Sequence, residues 1–201
     1  MIKHIVFDVG GVLIAYRWHE MLMEHGLTAE QANEVGICVF EDLMWNQMDA
    51  GLVSIDDVVK HCRETYPSYA QDITWFLEHA DEMQVERPEV WKRLPLLKEA
   101  GYDIYILSNY SEHMFQKHTA DAKFWSYIDG AVVSYQVHQL KPQPEIYHSL
   151  LEKYHLKAEE CFFFDDRKEN TKGAENVGMH AFTVQEEAAF LAEMDRLIAK
   201  E

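Results

Sequence analysis

Four short segments of the 201-residue chain carry side chains suited to chemistry: Asp8-Val9-Gly10-Gly11, Ser108-Asn109, Lys141-Pro142 and Asp165-Asp166. Together they offer three carboxylates, a hydroxyl, an amide and an amine. Three carboxylates brought close repel one another unless a cation sits between them. Hard oxygen donors in a small acidic cluster suit Mg²⁺, which keeps several waters and takes one or two carboxylates plus a phosphate oxygen. Lys141 supplies a point charge for an anionic group. Ser108 and the backbone N–H groups near it can donate to a phosphoryl oxygen. A carboxylate beside Mg²⁺ and facing a phosphate can attack phosphorus and form an aspartyl-phosphate, with metal and lysine neutralising the charge that develops. Taken singly, each group has an ordinary reading. Asp8 would be a turn residue, Asp165-Asp166 a helix cap, Ser108-Asn109 a turn and Lys141 solvated surface. Their joint placement carries the argument.

That placement follows from the elements. Ile5-Val6-Phe7-Asp8 is a short run of β-formers ended by Gly10-Gly11, a buried strand feeding a tight loop. From about His19 to Asp81 the pattern is helical, with starts marked at Thr28 and Ser54 and no alternating strand. After Pro88 the rhythm changes. Glu89 to Ala100 reads as one helix, Asp103–Leu107 as a strand, and a helix follows from Ser111. Ala131–Val133 is a strand, Pro144–Tyr154 a helix, Cys161–Phe164 a strand, Asn170–Asn176 a helix and His180–Thr183 a strand. Glu186 to Lys200 is an amphipathic helix that packs on the sheet, with a dimer contact as the alternative. Strands alternating with helices predict an α/β fold, a Rossmann-like parallel sheet with a small all-helical cap inserted after the first strand. In such sheets, ligands sit beyond the carboxyl ends of the strands. All four chemical segments lie at that edge.

With these motifs in hand, the chain resembles a haloacid dehalogenase superfamily hydrolase of the branch with a helical cap after the first strand. Phe7-Asp8-Val9-Gly10-Gly11-Val12-Leu13, Ile106-Leu107-Ser108-Asn109, Leu140-Lys141-Pro142-Gln143-Pro144-Glu145-Ile146-Tyr147 and Phe163-Phe164-Asp165-Asp166 match its four motifs, and Arg87-Pro88-Glu89 also fits. The resemblance implies a core of residues 1–15 and 86–201 with a cap over 16–85. It implies Asp8 as nucleophile and Mg²⁺ ligand, the Gly10 carbonyl and Asp165 as further ligands, and Asp166 as support, directly or through water. Ser108 and Asn109 would hold the phosphoryl group, and Lys141 would stabilise it and orient Asp8. The subgroup most similar in its first motif is that of bacterial sugar-phosphate phosphatases related to the α-D-glucose-1-phosphate phosphatases.

One position departs from the common pattern. Most phosphatases of this superfamily carry a second Asp where this chain has Gly10, and that Asp is the general acid and base. Its loss is typically worth ~10²–10⁴-fold, so another group from the cap or the substrate, or a less basic leaving group, must compensate. Substrate choice is expected from the cap side: Tyr16, Arg17 and Trp18 after the first loop, and Trp45 with Asn46 in a helical stretch. His113 and His118 read as solvated helix positions, with His113 a remote candidate for the missing acid.

Composition bounds the partners. Lys and Arg number 18 against 35 Asp and Glu, a net charge of −17, with 48% hydrophobic residues. This acidity argues against broad binding to nucleic acid or an anionic membrane. A small phosphorylated metabolite remains admissible through local cations. No apolar run approaches the length of a membrane span. The start does not read as a secretory signal. The three cysteines form no CxxC pair and are expected to be reduced thiols in a cytoplasmic monomer or homodimer. Two other functions compete with phosphomonoester hydrolysis: a non-catalytic or weakly active domain of this fold, and a metal-independent haloacid dehalogenase. The second is disfavoured because Asp165-Asp166 would be a buried charge cost without a cation.

Overall fold

A computed structural model describes residues 1–200. Among these residues lie seven strands and twelve α-helices. Five strands, β1 (His4–Phe7), β4 (Asp103–Ser108), β5 (Gly130–Val133), β6 (Cys161–Asp165) and β7 (His180–Thr183), form one parallel sheet in the order β5-β4-β1-β6-β7. The remaining two, β2 (Ile14–Tyr16) and β3 (Gln84–Glu86), pair antiparallel. Central strands of a parallel sheet are covered on both faces, so they read as apolar runs. Ile5, Val6, Phe7, Phe163 and Phe164 are fully buried. One face packs Phe7 and Phe164 under Phe190. The other places Phe163 against Tyr147.

Phe7 is in register with Ile106 on β4 and Phe164 on β6. Asp8, Ser108 and Asp165 therefore emerge side by side at the carboxyl edge. The chain runs outward from β1 through β4 to β5, then returns to β6 on the other side of β1. The switch in strand order thus falls between β1 and β6, where the crevice of such sheets lies.

Between β2 and β3 the chain is helical. The helices are α1 (Trp18–Glu24), α2 (Ala29–Phe40), α3 (Leu43–Asp49), α4 (Ile55–Thr65) and α5 (Ala70–Glu78). Thr28 with Gln31 and Ser54 with Asp57 close capping boxes at the starts of α2 and α4, as their sequence signals predict. The two short strands at the ends of this segment were not expected. Three residues each, with one exposed edge, carry too little alternation to read. The helical segment is also fastened far from them. Ser134 donates its hydroxyl to the Asp49 carbonyl, His138 Nδ1 lies 2.8 Å from the Ala50 carbonyl, and Gly51 sits against Tyr135.

The core helices are α6 (Pro88–Trp91), α7 (Leu94–Glu99), α8 (Glu112–Thr119), α9 (Ser134–Val137), α10 (Pro144–Tyr154), α11 (Lys168–Asn176) and α12 (Glu187–Ala199). The single helix expected over Glu89–Ala100 is two. Pro95 has no N–H to return to the Trp91 carbonyl, so the helix stops and restarts with Pro95 in its first turn. The last helix packs on the sheet through Phe190, Met194 and Leu197. No helix among the described residues is long and apolar enough to cross a membrane.

Candidate active site

Asp8 begins where β1 ends, and its loop is fixed from below. Arg87 Nη1 donates to the Gly11 carbonyl at 2.6 Å and the Val12 carbonyl at 3.1 Å, while Trp91 Nε1 donates to the Leu13 carbonyl at 2.6 Å. Gly11 adopts φ +70°, and any Cβ there would strike the Asp166 carboxylate. A side chain at this position would therefore be strained twice over.

The Asp8 carboxylate is held at both oxygens. Oδ1 accepts from the Val9 N–H at 2.7 Å and from the Ser108 hydroxyl at 2.6 Å. Oδ2 lies 2.9 Å from Lys141 Nζ. Lys141 also donates to Asp165 Oδ2 at 2.6 Å and to the Leu107 carbonyl at 3.0 Å, and its side chain is fully buried. The residue expected on the surface when read alone is thus the buried cation at the centre of the site. Burial works against its ammonium, but Asp165 and Asp8 outweigh that and hold it above the ordinary lysine value.

Asp8, Asp165 and Asp166 bring carboxylate oxygens within 4.8 Å of one another. Burial, against the pull of Lys141 and with the charges of Asp165 and Asp166, pushes Asp8 up to about 8. Desolvation by the crowded cluster and the Asp165 charge push Asp166, which is still open to the surface, up to about 6. A divalent cation would relieve that crowding, so the donor set fits Mg²⁺. The two motif-four carboxylates differ. Asp165 is fully buried and accepts from Lys141, the Arg167 N–H and Asn170 Nδ2. Asp166 accepts no hydrogen bond from another side chain among the described residues. It lies against the loop of Gly11 and lines the cavity.

Asn109 does not extend freely toward that cavity. Its Nδ2 donates to the Lys141 carbonyl at 3.0 Å and its Oδ1 accepts from the Lys141 N–H at 2.9 Å. The side chain therefore fixes the Lys141 loop and leaves the backbone to address an anion. Arg17, expected to face the substrate, points away. Its guanidinium grips Glu24, the last residue of α1, at 2.6 Å. Trp45 does line the cavity, with Tyr16, Trp18, Phe40, Asn46, Met83 and Met114. The cavity holds about 320 Å³.

One of the two helix histidines parts from expectation. His113 pairs with Asp81 at 2.9 Å on the surface, away from the cavity lining. His118, expected to be solvated, is only 4% exposed. Its Nδ1 lies 2.7 Å from the Tyr110 hydroxyl and its Nε2 2.8 Å from the Ala80 carbonyl.

Asp49 also lines the cavity, and nothing in the sequence singles it out at the end of α3. Burial pushes its carboxyl up to about 7, against the Ser111 N–H and the charges of Lys141 and Arg167. Its ordinary value is 3.8, so between about pH 4 and 7 the folded state keeps a proton that the unfolded chain has lost. Stability from this group is therefore lost as pH rises through that window. Asp49→Asn is expected to exceed the parent protein in urea stability at pH 8 by more than about 1 kcal/mol and to match it near pH 4. A variant no more stable at pH 8 would mean that the carboxylate's contacts outweigh its burial.

A profile of the haloacid dehalogenase-like hydrolases matches residues 2–178. The chain belongs to that family. Its relatives include sesquiterpene phosphatase astK of Aspergillus oryzae, 24% identical over 196 residues, 98% of this chain and 96% of that protein. D-ribitol-5-phosphate phosphatase of Bacteroides thetaiotaomicron is 23% identical over 212 residues, 96% of this chain and 97% of that protein. A haloacid dehalogenase family enzyme from Bacteroides thetaiotaomicron, solved with magnesium and inorganic phosphate, superposes with a TM-score of 0.68 at 24% identity, covering 94% of this chain and 99% of that one. These relatives give no support to a particular closeness to α-D-glucose-1-phosphate phosphatases.

Proposed function

We propose that this family member is a Mg²⁺-dependent phosphomonoester hydrolase working through an aspartyl-phosphate on Asp8. The observation that carries the reading is Asp8 itself: a carboxylate held by Ser108, Val9 and Lys141, at the floor of a cavity, within 4.8 Å of two further carboxylates. When bound, Mg²⁺ would supply charge neutralisation at the phosphoryl oxygens and at Asp8. Asp8 and Asp166, with the Gly10 carbonyl, would hold it. The saturated hydrogen bonding of Asp165 suits a role in fixing Lys141, the reverse of the roles the resemblance implies for the two carboxylates. Lys141 favours the ionised form of Asp8 and aims it, a bound cation would complete the ionisation that burial opposes, and Ser108 prevents rotation of the carboxylate. The acidic cluster favours this reading over a metal-free dehalogenase, because Lys141 alone cannot neutralise three carboxylates.

The substrate is a small phosphorylated metabolite, and a sugar phosphate is the first choice. Trp18 and Trp45 can stack on a sugar ring, while Asn46 and Asp49 can take its hydroxyls. Phe40, Met83 and Met114 on the same wall favour a second reading, the phosphate of an apolar alcohol. The similarity to both a ribitol-phosphate and a sesquiterpene phosphatase is in keeping with either. A panel of sugar, polyol and prenyl phosphates, assayed for phosphate release with Mg²⁺ and with chelator, tests the proposal. Release only with Mg²⁺ is expected. No release from any member would leave a binding domain without catalysis.

A further inference from the structure

The space beside Gly10 is filled. An ideal Cβ built on Gly10 would lie 2.4 Å from the Tyr16 hydroxyl oxygen, so the hydroxyl occupies space that a side chain at this position would need. Tyr16 comes from β2, six residues further on, and turns back over the loop. Its hydroxyl donates to the Tyr110 hydroxyl at 2.6 Å, and the Tyr110 oxygen lies 2.7 Å from His118 Nδ1. His118 Nε2 faces the Ala80 carbonyl at 2.8 Å. A carbonyl only accepts, so Nε2 carries a proton; with the imidazole neutral Nδ1 accepts from Tyr110, as the bonds here run, and with it doubly protonated Nδ1 donates and both hydroxyls turn their protons toward the cavity. The chain of bonds is continuous from the cavity, which both tyrosines line beside Asp8, to a buried imidazole.

We propose that Tyr16 is the missing general acid and base, and that Tyr110 and His118 act through it as a proton relay and store. The inference rests on the phosphatase reading above. In the first half-reaction Asp8 attacks phosphorus and the bond to the leaving oxygen breaks. That oxygen takes the Tyr16 proton, Tyr16 takes the Tyr110 proton, and Tyr110 takes the Nδ1 proton of the His118 imidazolium. In the second, water attacks phosphorus and the Asp8–phosphorus bond breaks. The water proton passes to Tyr16, the Tyr16 proton to Tyr110 and the Tyr110 proton to His118 Nδ1. Asp8 leaves as carboxylate, phosphate is released, and the imidazolium is restored. Neither tyrosine ends either half-reaction as a phenolate.

The test uses 4-nitrophenyl phosphate, whose leaving group needs no acid, so that only the second half-reaction depends on the relay. Tyr16→Phe is expected to release about one equivalent of nitrophenolate per enzyme at the parent rate, then turn over roughly 10²-fold more slowly as phosphoenzyme accumulates. Tyr110→Phe should show the same burst with a smaller loss. Gly10→Asp combined with Tyr16→Ala should restore most of the slow phase, because the carboxylate then enters the vacated space. A Tyr16→Phe enzyme that loses both phases equally, or neither, overturns the proposal. So does a burst in Asp49→Asn but not in Tyr16→Phe, which would assign the role to that carboxylate. If the parent enzyme releases no nitrophenolate while binding Mg²⁺, the phosphatase reading itself has failed.

Discussion

Asp8→Asn is expected to reduce phosphate release by at least about 10⁴-fold, the scale on which removal of a nucleophile acts in enzymes that form covalent intermediates. An amide oxygen does not displace a leaving group from phosphorus. The fold should survive. Asparagine keeps an acceptor for the Val9 N–H and the Ser108 hydroxyl. It also removes one of three crowded carboxylates. Acid-quenched parent enzyme caught during turnover should carry a phosphoryl group on the peptide containing Asp8, detectable by mass, and the variant none. Turnover within tenfold of the parent would place the nucleophile elsewhere.

The second large effect concerns stability. Lys141→Met removes an ammonium that faces Asp8 at 2.9 Å and Asp165 at 2.6 Å with no exposed side-chain surface. Two buried carboxylates are left without their cation, which costs about 3–5 kcal/mol. The loss should be largest in chelator at pH 8. As pH falls, the unpaired carboxylates take up protons in the folded state at a pH where the unfolded chain is still ionised, so the deficit should narrow. Mg²⁺ should narrow it too, because the ion binds the folded cluster and not the unfolded chain. Urea titrations at two pH values, with and without the ion, read both effects. A loss below about 1 kcal/mol would mean that the carboxylates do not depend on this lysine.

Local signals made much of the fold legible. The strands His4–Phe7 and Cys161–Asp165 are near-continuous apolar runs because both faces of a parallel sheet are covered. The capping boxes at Thr28 and Ser54 are complete within four residues. Asp8, Ser108, Lys141 and the Asp165-Asp166 pair are readable because each follows its own strand, and the register does the rest. Contacts that depend on the third dimension were not readable. Nothing local to Tyr16 reveals that its hydroxyl sits over Gly10. Tyr110 and His118 are eight residues apart, but only the fold of α8 against Ala80 buries the imidazole between them. Asp49 has no motif around it. Arg17 misled because an arginine beside two aromatics resembles a substrate clamp, whereas Glu24 lies within its reach on α1.

The helical segment above the site is tied down twice, by the pairing of β2 with β3 and by the contacts of Asp49, Ala50 and Gly51 with Ser134, Tyr135 and His138. A wall pinned at its base and again midway along its length behaves as a mould more than as a shutter. Little ordering entropy is lost when a ligand that fits enters such a space. The same stiffness makes an added methylene or a misplaced hydroxyl expensive, because the aromatic rim cannot step back to make room. Selectivity should therefore show in which molecules enter at all, and small changes in rim residues should exchange one set of accepted molecules for another.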